Sequence, residues 1–443
     1  MVQKKQSGNI VAIIAMFFLF AMISFVTNLA APIGVIWKES PGIDGSNFLG
    51  MMGNMMNFLA YLFMGIPAGK LLTRIGYKKT ALAAIAVGLA GVFVQFLSGS
   101  VGVGATIFNL PANWYIYLLG AFISGFSVCM LNTVVNPMLN LLGGGGKKGL
   151  QLLNIGGSCN SLAATLTPMF VGSLIGQVTK ETAINNVNPV LYIAMGVFAA
   201  AFAILFFTPI ADPEQSRTGA NVKFENSAWS FRHLVLGAIG IFVYVGIEIG
   251  IPGTLNFFLA DNSANGGGLD PATATSIAGF VAGTYWFMML IGRLAGGFIF
   301  GKFSSKAQLS SVSIIGIIFV LLFIFLPAGI KTYMPVFKGA EGFGVEQVPL
   351  GALFLVLCGL CTSVMWGGIF NLATEGLGKY IPQGSGIFMM MVVGGGILPL
   401  IQNKIADLVN YRTSYLVVIA GLVYLLYYAL YGSRNVNKDI PVD

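Results

Sequence analysis

IFVYVGIEIGIPGTLNFFLAD, residues 241–261, places one carboxyl group, Glu248, near the middle of a long apolar run. A charge at the centre of a bilayer costs from about 2.5 to well over 10 kcal/mol, so intramembrane acids are rare and mostly functional. Pro252 and Gly253 follow, and both residues weaken a helix and leave backbone carbonyls free to face a cavity. An ionisable group beside an interrupted helix is typical of a solute or ion site inside a membrane protein.

The composition agrees with a membrane location for this stretch. Hydrophobic residues make up 56% of the 443 residues and charged residues only 9%, and the mean hydropathy is +0.84. Soluble domains carry about 25% charged residues, so a soluble globular protein is excluded. The four cysteines lie in apolar runs and predict no disulfide framework. The sequence also contains no metal-ligand cluster, nucleophile–base pair or cofactor loop, so we expect neither an enzyme nor a bound cofactor.

Apolar runs long enough to cross a bilayer of about 30 Å recur twelve times. The longest internal hydrophilic stretch divides them six and six, which predicts an all-α membrane protein with two six-helix halves, residues 1–211 and 232–443, joined by a linker at 212–231. The predicted spans are residues 10–36, 47–68, 80–98, 113–142, 149–176, 189–210, 232–260, 273–301, 307–329, 348–374, 383–406 and 413–432.

The distribution of Lys and Arg predicts the orientation of these spans. If the N-terminus is cytoplasmic, seventeen of the 23 Lys and Arg residues fall on the cytoplasmic side, as the positive-inside rule requires. We therefore expect both termini in the cytoplasm and a location in a bacterial inner membrane, with the lipid bilayer as the main partner. The formal charge of +8 follows from this topology and requires no nucleic-acid partner.

The two halves repeat a pattern of residues. Gly69, Arg74 and Lys78 follow the second span, and a similar glycine-and-lysine pattern follows the eighth span 228 positions later. Asn136 in the fourth span likewise corresponds to Asn371 in the tenth. Two echoes at corresponding places indicate an internal duplication. Two six-helix halves with a site between them are the arrangement of major facilitator transporters.

The motifs point to the same family. Ile66-Pro67-Ala68-Gly69 and Arg74-Ile75-Gly76-Tyr77-Lys78-Lys79 resemble the loop between the second and third spans of the major facilitator superfamily, and they look closest to its fucose–galactose–glucose symporter branch. Thr73 stands where the general motif has Asp, as it does in the fucose permeases. Further similarities are Leu131-Asn132-Thr-Val-Val-Asn136-Pro137, Gln151 with Asn154, Tyr244-Val-Gly-Ile-Glu248 and Gly394-Gly395-Gly396.

The sequence departs from the fucose permeases at three polar positions. Their carboxylates in the first and fourth spans correspond to Asn28 and Asn132 here, and a Gln of the second span corresponds to Asn54. An amide can donate to and accept from sugar hydroxyls, but it cannot carry a proton. Glu248, which resembles an acid of the glucose/galactose members, is therefore the one titratable group left for coupling.

We expect amide and aromatic side chains to contact the substrate and two arginines, Arg74 and Arg293, to act at a cytoplasmic gate. Some of the amides could instead form only interhelical hydrogen bonds, and the aromatic residues could simply pack against neighbours or lipid. Likewise, Glu248 could be a buried protonated acid bonded to a neighbouring helix. The candidate substrate-binding residues are Asn28, Asn54, Asn132, Gln151, Asn154, Tyr244, Asn256, Trp366 and Asn371.

These features predict a secondary active transporter that imports a neutral monosaccharide by alternating access. A charged substrate would need a cationic partner, and the sequence places no Lys or Arg near mid-membrane. Glu248 would couple transport to H⁺ or to Na⁺, with Na⁺ bound near the carboxylate and no other metal. A sugar uniporter, an exporter of another small molecule and a sugar sensor are the alternatives, and we expect the chain to act as a monomer.

Overall fold

The computed structural model describes residues 2–143, 146–176, 178–179, 182, 184–208, 227–299, 303–338, 341–437 and 439–441. Twelve helices in this part of the chain are long and apolar enough to cross a membrane, which confirms the predicted all-α fold class. Most of the predicted linker, residues 212–226, lies outside the described residues.

Helices 1–6 form the first half, and helices 7–12 form the second. In the first half, helix 1 consists of two segments, Val2–Asn28 and Ala30–Glu39. A short helix at Asn47–Gly50 leads into helix 2 at Met52–Ile75. Helices 3–6 cover, in order, Tyr77–Leu97, Ala112–Leu142, Gly146–Ile175 and Asn188–Phe207. In the second half, helices 7–9 cover, in order, Arg232–Ala260, Ala274–Ile299 and Ser305–Phe325. Helix 10 consists of Leu350–Thr362 and Met365–Thr374, and helix 11 consists of Ile381–Met391 and Gly394–Leu408. Helix 12 consists of Tyr411–Ser414, Leu416–Tyr427 and Tyr428–Gly432.

The predicted interruption of helix 7 at Pro252 is wrong, because this helix runs unbroken from Arg232 to Ala260. The carbonyl that Pro252 leaves without a helical N–H donor is that of Glu248, four residues earlier. The Tyr415 hydroxyl donates to the carbonyl of Ile251, the residue before the proline, at 2.8 Å and so joins this part of helix 7 to helix 12. The observed breaks lie in other helices, at Leu29 in helix 1, before Met365 in helix 10, before Gly394 in helix 11 and at Tyr415 in helix 12.

The connections after helices 1, 3, 5, 7, 9 and 11 leave the bundle at one face, which we call the odd-loop face; the even-loop face is opposite. Two antiparallel hairpins occupy corresponding odd-loop connections of the two halves, between helices 3 and 4 and between helices 9 and 10. The first hairpin pairs β1, Thr106–Ile107, with β2, Leu110–Pro111, and the second pairs β3, Lys331–Phe337, with β4, Phe343–Pro349.

Glycines bring the two halves close together along helices 5 and 8. A Cβ on Gly172 of helix 5 would lie 2.8 Å from the Thr275 carbonyl oxygen, and a Cβ on Gly279 of helix 8 would collide with the Pro168 carbonyl. Helices 2 and 11 meet in the same way, since a Cβ on Gly396 would lie 2.9 Å from the Phe58 side chain. Small residues allow this approach, which lets polar groups of one half reach the other.

Candidate functional site

Glu248 lies in a polar cluster formed within helix 7 and completed by helix 8. The Tyr244 hydroxyl, one helical turn earlier, donates to Glu248 Oε1 at 2.7 Å. Arg293 Nη2 of helix 8 lies 3.4 Å from the same oxygen. Only 12% of the Glu248 side chain and 21% of the Arg293 side chain are exposed. The carboxylate therefore has both a neutral donor and a counter-ion.

Arg293 also joins the second half to the first. Its Nη1 donates to the Gly157 carbonyl at 2.9 Å and to Ser161 Oγ at 2.8 Å, both on helix 5. One guanidinium thus contacts the candidate coupling acid and the opposite half at the same time. The fixed fork of donors in arginine makes this possible, whereas lysine presents a point charge.

The expectation that no Lys or Arg lies near mid-membrane is wrong, because Arg293 pairs with Glu248. Arg293 is near the even-loop end of helix 8, where its position along the sequence suggested a gate residue. Side chains on a helix lean toward its N-terminus, and helix 8 begins at the odd-loop face, so Arg293 leans toward mid-membrane and meets Glu248. Arg74, the other predicted gate residue, is exposed in the last turn of helix 2.

The first half contributes hydrogen-bonded amides on helix 4. Asn132 Nδ2 donates to the Tyr61 hydroxyl of helix 2 at 2.7 Å. Asn136 Nδ2 donates to the Asn132 backbone carbonyl at 2.8 Å. Asn132 is partly exposed, so its amide oxygen and the Tyr61 hydroxyl form a small polar surface to which a hydroxylated ligand could bond.

Asn28, Asn54 and Asn256, predicted from separate spans, line one cavity of about 20 Å³. This cavity lies between the two halves, and Trp286 contributes an aromatic wall. Its contacts on helix 7, from Ile249 to Asn256, place it on the odd-loop side of Glu248. The structure thus brings together three of the predicted amides at the boundary between the halves.

Asn54 has a structural role that the sequence did not reveal. Its Nδ2 donates to the Gly395 carbonyl of helix 11 at 2.8 Å. Pro399 follows four residues later and has no N–H group, so the Gly395 carbonyl lacks its normal helical donor. The amide of one half therefore satisfies the backbone of the other. Asn28, in contrast, donates within helix 1 to the Ser24 carbonyl at 2.9 Å.

Among the remaining predicted residues, Trp366 alone contacts the Glu248 cluster in the part of the chain described. Its ring centroid lies 6.1 Å from that of Tyr244, in an edge-to-face arrangement. Asn371 is exposed near the end of helix 10. Gln151 and Asn154 belong to helix 5, but their side chains lie outside the described residues.

The described residues contain no group of three or more His, Cys, Asp or Glu side chains able to hold a metal ion. The described partners of Glu248 Oε1, a hydroxyl and a guanidinium, both donate to it. Sodium requires oxygen ligands that present lone pairs. Arg293 is a cation beside this oxygen, so the intact ion pair opposes the binding of a second cation there.

A second polar cluster, which the sequence did not reveal, lies at the odd-loop face. Lys38 and Asn47 of the first half meet Asp261, Asp407 and Tyr411 of the second. Each of these residues lies at the end of a span, where charged residues commonly mark the membrane boundary. Their separate positions along the chain give no sign that they form one cluster.

Comparison with known proteins agrees with this architecture. The glucose/galactose transporter of Brucella abortus biovar 1 (strain 9-941) is 29% identical over 98% of this chain and 96% of its own length. The L-fucose-proton symporter of Escherichia coli K12 is 22% identical over 96% of this chain and 93% of its own. Both relatives are transporters, in agreement with the prediction of a protein that is not an enzyme.

Solved structures show the same fold. A crystal structure of a single-residue variant of the E. coli fucose:proton symporter superposes with a TM-score of 0.66 at 18% identity, covering 97% of this chain and all of that one. The Major Facilitator Superfamily model matches residues 13–399. The predicted resemblance is therefore confirmed, and the chain belongs to the Major Facilitator Superfamily.

Proposed function

We propose that this chain is a secondary active transporter that imports a neutral monosaccharide together with a proton, with Glu248 as the proton-binding residue. The observation that carries the proposal is the contact of Glu248 with Tyr244, at 2.7 Å, and with Arg293, which also contacts the other half. The names of the relatives, a glucose/galactose transporter and an L-fucose-proton symporter, support this substrate class and this ion.

A neutral substrate fits the charges in the centre of the molecule. Glu248 and Arg293 form an ion pair, so neither leaves a net charge for a charged substrate to match. The amides of Asn132 and Asn256 offer both donors and acceptors, as sugar hydroxyls require. The partly exposed Trp366 packs edge-to-face against the buried Tyr244, the hydrogen-bond partner of Glu248. We propose that a monosaccharide binds between the halves, where the amides of Asn132 and Asn256 bond to its hydroxyls and Trp366 packs against its ring.

Protonation of Glu248 would change the contacts of Arg293. With the acid ionised, the arginine has a counter-ion in a largely buried site. Neutralising the acid leaves the guanidinium with only neutral partners, which is unfavourable in a low-dielectric environment. Because Arg293 also donates to Gly157 and Ser161, the charge on Glu248 then influences the contact between the halves. This link would couple proton binding to alternating access.

The conformation is closed toward the odd-loop face and fits a cytoplasm-facing state. Lys38 joins Asp261 across the two halves at 2.8 Å on that face, while Glu248 and Arg293 keep part of their surface exposed. We propose that this exposed surface faces an opening on the even-loop side. On the distribution of Lys and Arg, we propose that this side is cytoplasmic and that both termini lie there, with the protein in a bacterial inner membrane. One chain supplies both walls of the site, so a monomer suffices.

Uptake of a panel of labelled neutral monosaccharides by cells or proteoliposomes tests this proposal. We expect accumulation of a hexose that depends on an inward proton gradient, stops when a protonophore is added and is unaffected by replacing sodium with potassium. Accumulation that requires sodium would overturn the choice of ion. Equilibration without accumulation would indicate a uniporter, and outward transport alone would indicate an exporter.

A further inference from the structure

We infer that five residues at the odd-loop face, Lys38, Asn47, Asp261, Asp407 and Tyr411, form a latch between the halves that must open whenever the transport site faces that side. We call this set the odd-loop latch. The inference rests on the transport proposed above, but the opening itself can be measured without any sugar.

The first arm of the latch is built around Lys38. This side chain lies at the end of helix 1 with only 4% of its surface exposed. Its Nζ donates to Asp261 Oδ2 at 2.8 Å and to the Tyr411 hydroxyl at 2.9 Å. The Tyr411 hydroxyl in turn lies 2.8 Å from both Asp261 Oδ2 and Asn47 Oδ1 and can donate to one of them at a time. Lysine is rarely this buried unless it is paired.

The second arm is the carboxylate of Asp407, in the last turn of helix 11. It accepts bonds from Ser46 Oγ at 2.9 Å, from the Asn47 backbone N–H at 2.8 Å, from Asn47 Nδ2 at 2.7 Å and from the Phe48 N–H at 2.9 Å. The last three groups begin the short helix that leads into helix 2. A carboxylate at a helix N-terminus satisfies free N–H groups and the helix dipole. Here the capping carboxylate comes from the other half of the molecule.

Every bond of these two arms, apart from that between Tyr411 and Asp261, crosses between the halves. Rotation of the halves to open the odd-loop face would therefore break them together, while bonds inside either half would survive. Charge-assisted hydrogen bonds are among the strongest in proteins, so the latch should bias the molecule toward the closed state. Asn47 contacts both Tyr411 and Asp407, which links the two arms.

Asp261 stays ionised at all physiological pH values. Burial by itself would raise the pKa of Asp261, but the Lys38 ammonium and the Ser263 N–H outweigh it and bring the pKa to about 2. Because this pKa is depressed, the contribution of Asp261 to closure is complete above pH 3.8, the ordinary value, and is lost only as the pH falls through about 2. The contact of Asp261 with Lys38 should therefore be broken by movement of the halves and not by protonation of Asp261 at physiological pH.

The rate of cysteine labelling from the odd-loop face tests the latch. Ala282, 3% exposed, lines the small cavity between the latch and Glu248, so Ala282→Cys reports whether this face is open. Intact cells would be treated with a membrane-impermeant maleimide in the absence of sugar. Ser263→Cys, on the exposed loop after helix 7, shows that the reagent reaches the face. The unmodified chain shows the labelling of the native cysteines.

We expect Asp261→Asn and Asp407→Asn to speed the labelling of Ala282→Cys by at least about tenfold, because each removes a carboxylate that holds the closed state. The charge-swapped pair Lys38→Asp with Asp261→Lys should restore slow labelling. Two matched controls should change nothing: Lys338→Met removes an ion pair to Glu346 inside one hairpin, and Asp270→Asn removes a carboxylate that accepts from Ala272 N–H within its own half.

Unchanged labelling in both aspartate variants would overturn the latch. So would labelling of these variants when Ala282 is left in place and Cys159, the partly exposed native cysteine, is replaced by serine, because Cys129, Cys358 and Cys361 are buried and would react only after unfolding. Since the assay contains no sugar, its result is independent of whether the proposed substrate is correct.

Discussion

At the scale of single residues, the central feature is a carboxylate inside the membrane whose charge is balanced. An isolated ion in hydrocarbon is costly, and removing one partner of a buried pair costs about 3–5 kcal/mol because the other charge is left behind. Arg293 and Tyr244 provide Glu248 with a cation and a donor hydroxyl. A change in the charge of Glu248 would therefore alter its contact with Arg293, which also bonds to helix 5.

The amide of Asn132 provides a test of the sugar site. We expect Asn132→Ala to weaken sugar binding by about 5- to 150-fold, since loss of a hydrogen-bonding group costs about 1–3 kcal/mol when its partner in the complex is left unsatisfied. Equilibrium binding to purified protein would measure this. Asn113→Ala is the matched control, because Asn113 is buried and donates to the Ser98 carbonyl at the odd-loop side of the first half. Equal loss in both variants would mean that Asn132 acts only through stability.

Individual residues could be predicted from the sequence only where the contacts are local. Tyr244 and Glu248 are one helical turn apart, and that spacing places them on one face. Arg293 lies 3.4 Å from Glu248 yet 45 positions away in sequence, and its long side chain decides the contact. The contact of Asn54 could not be predicted for the same reason, because the carbonyl to which it donates belongs to Gly395 in the other half of the molecule.

At the scale of helices, close approach of helices 5 and 8 provides a path between the halves. Gly172 and Gly279 allow their backbones to meet, and Arg293 then reaches Gly157 and Ser161. The sequence predicted helices 5 and 8 but not their contact with each other. Small residues occur on many helix faces, and they do not indicate which helix will pack against them. Pro252 was equally ambiguous, because a proline in a membrane helix can either interrupt the helix or lie within a continuous one, as it does here.

The glycine at this contact provides a test of the helix pairing. Gly279→Ala would place a methyl group against the Pro168 carbonyl and force helices 5 and 8 apart. We expect initial uptake to fall at least about tenfold, which corresponds to a loss of about 1.4 kcal/mol. Gly196→Ala in helix 6 should transport normally, because no atom lies within 4 Å of the added Cβ. Normal uptake by Gly279→Ala at equal protein levels would show that the close approach is unimportant.

At the scale of the whole molecule, two similar halves enclose one polar centre and close one face over it. The twelve spans could be predicted because each is recognised by its own composition. The latch could not be predicted, since Lys38 and Asp407 are 369 positions apart and neither span shows a feature that points to the other. In the account we propose, movement of the halves opens the latch, while the charge on Glu248 determines which movements are allowed.

Replacement of Glu248 by Gln tests this account most directly. The amide keeps the size and much of the hydrogen bonding of the acid but cannot bind or release a proton. In proteoliposomes, we expect Glu248→Gln to exchange labelled for unlabelled sugar across the membrane at a rate close to that of the unmodified protein. We also expect it to lose all accumulation driven by a proton gradient. If the variant still concentrates sugar against its gradient, Glu248 is a structural acid and proton coupling occurs elsewhere.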